Sequence, residues 1–493
     1  MPTTGLIGHL RNYATAGAVS AVVGVLSFPI MARNLSVDDY GIMGLVTAST
    51  ALAVAFGKLG MQHAIVRFYA ESMHERRGAN LLSFNTTVFA LFGALSAITV
   101  LAWLATGAFV MPRFIEHPSI AGYFAAVAAF VVLRMVGSVT WNMLRARQLS
   151  ADVGRATIVG RCTWLALLLV LLATGLFDLY FLLAAFVLAE LAAVVHATRA
   201  YAPFFSFSAP AFSRVLTARL LRFGLPLMVL ESLSLALRLV DRYMIGSVLG
   251  EKDLGLYSAS YNLTSYVEIV ITASLAAAVR PMYTDLWERE GADATRRFLS
   301  ESLHVYLMLG IPFTATFVLV APDLLVFLAS DRYGSGASIV PWIATIILLD
   351  GALIFLSAGM YFLGSTNTVL FWGLVSGAVN FTGNYLVIPR FGIEGAAIVT
   401  LGAFLVFCAG FLNRSLRLLA FELSWRKPLL MLALSVAVYA PLDRAFHASA
   451  LANVLIKGTL ASVVLGALLL VVDRQVRDWT GARVEGLRAR HLR

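Results

Sequence analysis

The sequence predicts an all-α integral membrane protein of about fourteen transmembrane helices. Twelve form two parallel six-helix repeats, and two more follow at the C-terminal end. Three observations lead there. Hydrophobic residues make up 60% of the 493 and charged residues only 13%, against roughly 25% charged in soluble domains. The apolar residues come in runs of roughly twenty between short charged turns, the length that crosses a bilayer. In lipid a helix satisfies its own backbone, so a string of helices is the economical fold. Finally, one stretch occurs twice.

That stretch is NLSVDDYGIMGLVTASTALAVAFGKLGMQHAIVRFYAE, Asn34 to Glu71. A short polar turn opens an apolar run that contains Lys58 and ends near Arg67. About 214 residues on, Val248 to Leu286 repeats the design, with Leu249 for Leu35, Asp253 for Asp39, and Gly255 for Gly41. With a one-residue shift Arg280 matches Arg67. The second copy carries Glu268 inside its apolar run where the first carries Lys58.

In chain order the first six helices are expected near residues 14–33, 40–62, 83–107, 119–147, 156–176 and 179–199. They form an N-terminal lobe, 1–200. A basic linker, 201–221, opens a C-terminal lobe, 201–421, with helices near 222–248, 254–279, 299–321, 337–363, 369–388 and 395–419. Helices near 428–446 and 453–473 lie in a further segment, 422–473, and a basic tail spans 474–493. The weakest boundary is the charge-free turn Ser365–Thr368.

The basic residues test this register, because alternate loops should carry the Lys/Arg excess. With the N-terminus in the cytoplasm, inner loops and tail hold 25 of the 37 Lys and Arg, and the outer loops hold seven: Arg33, Arg113, Lys252, Arg332, Arg390, Arg444 and Lys457. A missed helix would reverse every later loop and erase the bias. Both termini are therefore expected in the cytoplasm. An even number of helices per repeat makes the repeats parallel, related by an axis along the membrane normal. The net charge of +10 sits at helix ends and in the tail, as topology requires, so nucleic acid is not an expected partner. The N-terminal segment leads straight into a spanning helix and reads as an uncleaved anchor. Cys162 and Cys408 stand singly in apolar helices, with no disulfide framework or metal spacing.

Several segments together resemble the polysaccharide (Wzx-type) flippases of the multidrug/oligosaccharidyl-lipid/polysaccharide exporter (MOP) superfamily. They are LSVDDYGIMG, LGMQHAIVRFYAE, RFGLPLM (Arg222–Met228), LGEKDLGLYSASYNL (Leu249–Leu263) and FGIEGAAIVT (Phe391–Thr400). These are turn and packing signatures in the family's order, so they speak for the fold more than for the cargo. The resemblance implies two lobes around a central cavity. It also implies transfer of a polyprenyl-diphosphate-linked oligosaccharide from the inner to the outer leaflet by alternating access. Its implied partners are the lipid-linked anionic glycan, membrane lipids and other polysaccharide-assembly membrane proteins.

Charges inside spans need a reason, since each costs about 2.5–3.5 kcal/mol at the bilayer centre. Lys58 lies nine residues, roughly 14 Å of helix, from Arg67; Arg134 lies eleven residues from Arg145. Both are too deep for easy snorkelling and neither has a carboxylate one turn away. They are expected to receive a diphosphate, which suits Lys and Arg; the alternative is an ion pair with Asp350 or Glu268. Arg238 and Arg242 extend this cationic set, with Glu231 near the same helical stripe. Arg238 and Asp241, as i,i+3 neighbours, can also simply neutralise each other. Asp241, Glu231, Glu268 and Asp350 are candidates for gating or for coupling to H+ or Na+, and Glu190 for ion pairing. Arg161 lies close enough to its helix end to snorkel. Arg67 and Arg280, at matching exits, suit an inner gate with Glu71 and Asp285, although snorkelling explains them as cheaply. His63 and His304 read as polar packing.

Other function classes fit less well. A polysaccharide polymerase or ligase would need a large outer loop with catalytic residues, and none is present, so no enzyme, cofactor or catalytic residue is expected. A multidrug or ion antiporter on the same fold would favour aromatic residues and carboxylates over cations. A lipid II-type flippase shares the diphosphate and stays open as an alternative.

Overall fold

The computed structural model describes residues 3–73, 81–268, 274–363, 366–422, 424–446, 448–473 and 477. The basic tail expected over 474–493 lies almost wholly outside them, as do Arg76 and Arg77. Two compact units appear, Met1–Ser258 and Ala259–Arg493. The first therefore contains the whole of the expected linker and seventh helix.

Unit 1 begins with α1 (Thr3–Asn34), α2 (Val37–Gly57) and α3 (Met61–Met73). The recurring polar turn is a helix start. Ser36 Oγ accepts from Asp39 N at 2.9 Å, and Asp38 and Asp39 occupy the first turn, where carboxylates face the positive end of the helix dipole. Next come α4 (Leu81–Ala105), α5 (Ile120–Ala126), α6 (Ala128–Ala146), α7 (Ser150–Thr174) and α8 (Leu179–Tyr201). Stacked pairs Trp103–Phe124 and Trp164–Phe186, at 4.4 and 4.1 Å, pack them together. The linker is held against α4 by three consecutive buried polar residues. Asn85 donates to Phe204 O, Thr86 Oγ1 accepts from Ser208 N, and Thr87 Oγ1 accepts from Ser213 N, each at 3.0 Å. The last part of that linker is already helix: α9 spans Arg214–Val248.

After a left-handed Gly250 (φ 90), α10 (Glu251–Glu268) repeats the acidic first turn with Glu251 and Asp253. The two copies of the turn pack on each other. A Cβ on Gly41 would lie 2.5 Å from Glu251 O and 2.7 Å from Gly255 N, and one on Gly255 would overlap Val37 O. One on Gly44 would meet Ser258 Oγ at 2.7 Å. Val37 and Glu251, Gly41 and Gly255, and Gly44 and Ser258 each share the repeat offset. The repeat thus makes a nearly self-complementary crossing in which only small residues allow the backbones this close.

Unit 2 contains α11 (Ser274–Leu328), α12 (Val340–Leu356), α13 (Ala358–Leu363), α14 (Thr366–Leu418), α15 (Arg426–Ala445) and α16 (Ala450–Val472). Both long helices are two helices joined at one left-handed glycine, Gly291 (φ 80) in α11 and Gly392 (φ 60) in α14. Only glycine adopts that geometry without strain. The core joins Tyr283, Leu299, Tyr306, Phe355 and Leu419. Met431, Leu465 and Leu469 of the terminal hairpin pack on Met308 and Ile311.

Eleven helices among the described residues are long and apolar enough to cross a membrane. Dividing α14 at Gly392 gives twelve, and α9 and α10 occupy the other two expected positions, so the fourteen expected are roughly matched. Boundaries moved in three places. The second span, Val37–Gly57, is followed after a break by a separate helix, Met61–Met73, so Arg67 lies within helix. The fourth span is interrupted at Val127 (φ −96, ψ 7). Lys457, expected in an outer loop, is a buried residue of α16.

Candidate functional site

The second span breaks where Lys58 sits. Lys58 caps α2, Leu59 (φ 47) and Gly60 (φ 70) are left-handed, and α3 restarts at once, with Met61 N on Lys58 O at 2.9 Å. A non-glycine left-handed residue is uncommon and strained. The break is held by α9: a Cβ on Gly60 would overlap Gly224 O, and one on Gly224 would lie 2.5 Å from Leu59 O. A glycine-on-glycine crossing thus covers the irregular backbone of the break.

One carboxylate serves the side chains on both sides of the break. Glu231 of α9 takes Lys58 Nζ at 3.3 Å on Oε1. Its Oε2 accepts from Gln62 Nε2 and lies 4.0 Å from His63 Nε2. The Lys58 side chain is 15% exposed, Glu231 35% and His63 52%. The group is thus partly sheltered yet open on one side. Toward the far end of α3, Arg67 lies 4.4 Å from the Phe223 ring and Arg219 pairs with Glu71 at 2.9 Å.

Nearer the start of α2 the α9 charges are packed away. Asp241 is fully buried and accepts from Tyr257 Oη at 2.5 Å. Arg242 is buried and donates to Gly44 O at 3.4 Å. Tyr243 Oη donates to Ser49 Oγ at 2.7 Å. The side chain of Arg238 lies outside the described residues. Arg134 of α6 pairs with Glu190 of α8 at 3.4 Å, with its own side chain half exposed.

The ion pairs correct several expected partners. Lys58 has Glu231 and Arg134 has Glu190, where Asp350 or Glu268 stood as the alternatives. In this structure Glu71 pairs with Arg219 and Asp285 with Arg289 at 2.7 Å. Arg280 is exposed on α11, and Glu268 ends the described part of α10. Asp350 lies on α12 within electrostatic reach of Tyr306 and Cys408. His63 and His304 both adjoin carboxylates, His304 at 2.7 Å from the fully buried Asp473, which also takes Lys427 at 3.0 Å. No group of three potential metal ligands occurs among the described residues.

At the start of α2 and α10 a pocket of about 780 Å³ is lined by Asp38, Arg113, Phe114, Glu116, Glu251 and Lys252, among others. Burial raises the Glu251 carboxyl above its ordinary range, helped by Asp38 and Asp39 and opposed by His117. The folded state therefore binds more protons at Glu251 than the unfolded chain between the two pKa values, and stability falls as pH rises through that window. Glu251→Gln is expected to melt at a higher temperature than wild type at pH 7, with the difference vanishing near pH 4. Thermal melting at both values checks this.

Comparison with known proteins places these features. Residues 30–337 match the family described as "Polysaccharide biosynthesis protein" (Polysacc_synt_3). The chain is 24% identical over 364 residues to the succinoglycan biosynthesis transport protein ExoT of Rhizobium meliloti (strain 1021), covering 73% of this chain and 69% of that one. It is 23% identical over 490 residues to the uncharacterized membrane protein MJ1068 of Methanocaldococcus jannaschii, covering 93% and 92%. Among solved structures, the lipid II flippase MurJ in its inward closed conformation superposes with a TM-score of 0.74 at 14% identity, over 93% of this chain and 98% of that one. An inward-facing multidrug resistance MATE family transporter of the MOP superfamily gives 0.67 at 16% identity, over 81% and 94%. The residues of the recurring turn, the broken second span and α9 all fall inside the matched family region. The chain belongs to the family described as polysaccharide biosynthesis protein, it is a multi-pass membrane protein, and it shares the fold of the MurJ and MATE structures.

Proposed function

We propose that the protein flips a polyprenyl-diphosphate-linked oligosaccharide from the cytoplasmic to the outer leaflet of a bacterial-type inner membrane, for cell-surface polysaccharide synthesis. One observation carries the reading. Lys58 caps the membrane-length helix α2 at the break before α3, in a group that is sheltered but open on one side. A lysine kept at that depth suits an anionic head group, and a diphosphate offers several acceptor oxygens to its three donors. Arg134, half exposed beside Glu190, is the second cation of the proposed cargo path. Arg238 of α9 belongs to the same proposed set, whereas Arg242, buried against Gly44 O, is read as structural.

In this reading residues 1–200 and 201–421 act as the two moving lobes, with both termini cytoplasmic. The crossing of α2 on α10 then lies on the outer side, and the Arg219–Glu71 pair on the inner side. Arg67, Arg280, Glu231, Glu268 and Asp350 are the residues proposed to gate the path or couple it to H+ or Na+, and Asp241, buried against Tyr257, is read as structural. The chemistry is transport, with no covalent step and no cofactor.

The test is deletion, followed by identification of the lipid-linked glycan that accumulates on the cytoplasmic face, then complementation. Lys58→Ala and Arg134→Ala, at wild-type protein levels, are each expected to cut surface polysaccharide about tenfold or more, the loss of one charge-assisted contact of about 1.5–3 kcal/mol. Normal transport by both variants would overturn the diphosphate reading.

A further inference from the structure

The donors at the α2–α3 break converge on one acceptor. Lys58 Nζ, at 3.3 Å, Gln62 Nε2, and, more distantly, His63 Nε2, at 4.0 Å, all face the Glu231 carboxylate. No acid of α2 or α3 lies one turn from Lys58, so α9 supplies it. Glu231 is also unlike the structural acids of the chain. Asp241 and Asp473 are fully buried, whereas the Glu231 side chain is 35% exposed and a ligand can reach the donors beside it.

We propose that Glu231 is a resident stand-in for the cargo's diphosphate: an internal anion that holds Lys58 and Gln62 between transport events, yields them when cargo arrives, and reclaims them to drive release. The inference rests on the diphosphate reading of Lys58. Its physical basis is competition. A lysine at membrane depth without a counter-ion is costly, and Glu231 removes that cost in the empty state. A diphosphate carries more charge and more acceptor oxygens than one carboxylate, so it displaces Glu231 from the ammonium. The displaced carboxylate then sits beside a like charge, and in a medium of reduced dielectric that repulsion is substantial. Binding is weakened, and exit is hastened by the same amount. Neutral lipids cannot displace the carboxylate, and monophosphates do so less well, so Glu231 also selects for the diphosphate.

The experiment uses the full-length protein in lipid nanodiscs, with a sugar-free polyprenyl diphosphate as probe and the matching monophosphate as comparison. Affinity is read by tryptophan fluorescence, flipping in proteoliposomes, and folding by thermal melting. Glu231→Gln keeps shape and hydrogen bonding but removes the competing charge. It is expected to bind the diphosphate about tenfold more tightly, to flip it about tenfold more slowly at saturation, and to lose part of its preference over the monophosphate. Glu231→Asp, which keeps the charge, is expected to restore near-wild-type affinity. Lys58→Ala separates the two claims. If it binds the probe like wild type, the diphosphate reading fails. If it binds weakly while Glu231→Gln binds no more tightly than wild type, the reading stands and the stand-in role is overturned. A weaker-binding Glu231→Gln with a lowered melting temperature would mark Glu231 as a structural partner of Lys58 and nothing more.

Discussion

Gly60→Val is expected to be among the most damaging single substitutions in the first unit. Two costs coincide. Gly60 has φ 70, a conformation that a β-branched residue adopts only with strain of about 1–2 kcal/mol. The new side chain would also overlap the Gly224 carbonyl, and backbone cannot turn aside as a flexible side chain can. Together these should cost about 4 kcal/mol or more, or force α9 away from the break. Either result distorts the break that carries Lys58, so transport should fall with the melting temperature. The matched control is Gly93→Val on α4, where the added Cβ meets nothing within 4 Å and φ is ordinary. It should melt within about 0.5 kcal/mol of wild type. Equal melting temperatures for the two variants would show that the break does not depend on this crossing.

Lys457→Ala should destabilise the second unit on a comparable scale by a different route. Lys457 is 6% exposed in its side chain and lies 3.1 Å from Asp323 and 3.5 Å from Asp443. Asn453 of the same helix donates to Asp323 at 2.8 Å. With the His304–Asp473–Lys427 group, this network clamps the α15–α16 hairpin to the second segment of α11 at two levels, His304 and Asp323. Removing the lysine leaves Asp323 sheltered with only an amide donor, at a cost of about 3–5 kcal/mol for a broken buried pair. The double variant Lys457→Met with Asp323→Leu should recover most of the loss, because an apolar pair carries no desolvation penalty. Melting of the single and double variants checks this. A double variant no better than the single one would mean that the polar groups themselves, rather than their pairing, hold the hairpin.

The terminal hairpin also marks how far the sequence could be read. Two helices near 428–446 and 453–473 were visible as apolar runs. Lys457, four residues into the second, looked like a loop residue because a helix end and a loop are alike in composition. Its two acids lie far away in sequence, and nothing local announces the pairing. The second span shows the same limit. Lys58 and Glu231 are legible in the sequence, Lys58 as a charge without a local partner. The break was not, since Lys-Leu-Gly inside an apolar run is as compatible with a continuing helix as with an interrupted one. Only the approach of Gly224 requires the glycine at 60.

The sequence by itself determined the class of protein, the number and order of its spans, the duplication and the family resemblance. Each of these depends on local properties: apolar length, periodic charge in turns, and recurring residues at a constant offset. The tertiary structure decided which charge answers which. Lys58 went to Glu231, Arg134 to Glu190, Glu71 to Arg219, and Lys457 to Asp323 and Asp443. A single ionisable residue in an apolar run says that a partner or a ligand is needed, because the bilayer does not solvate charge. The partner's identity depends on helix crossings, and those are set by close approaches such as Gly60 on Gly224 and Gly41 on Gly255, which no single segment encodes.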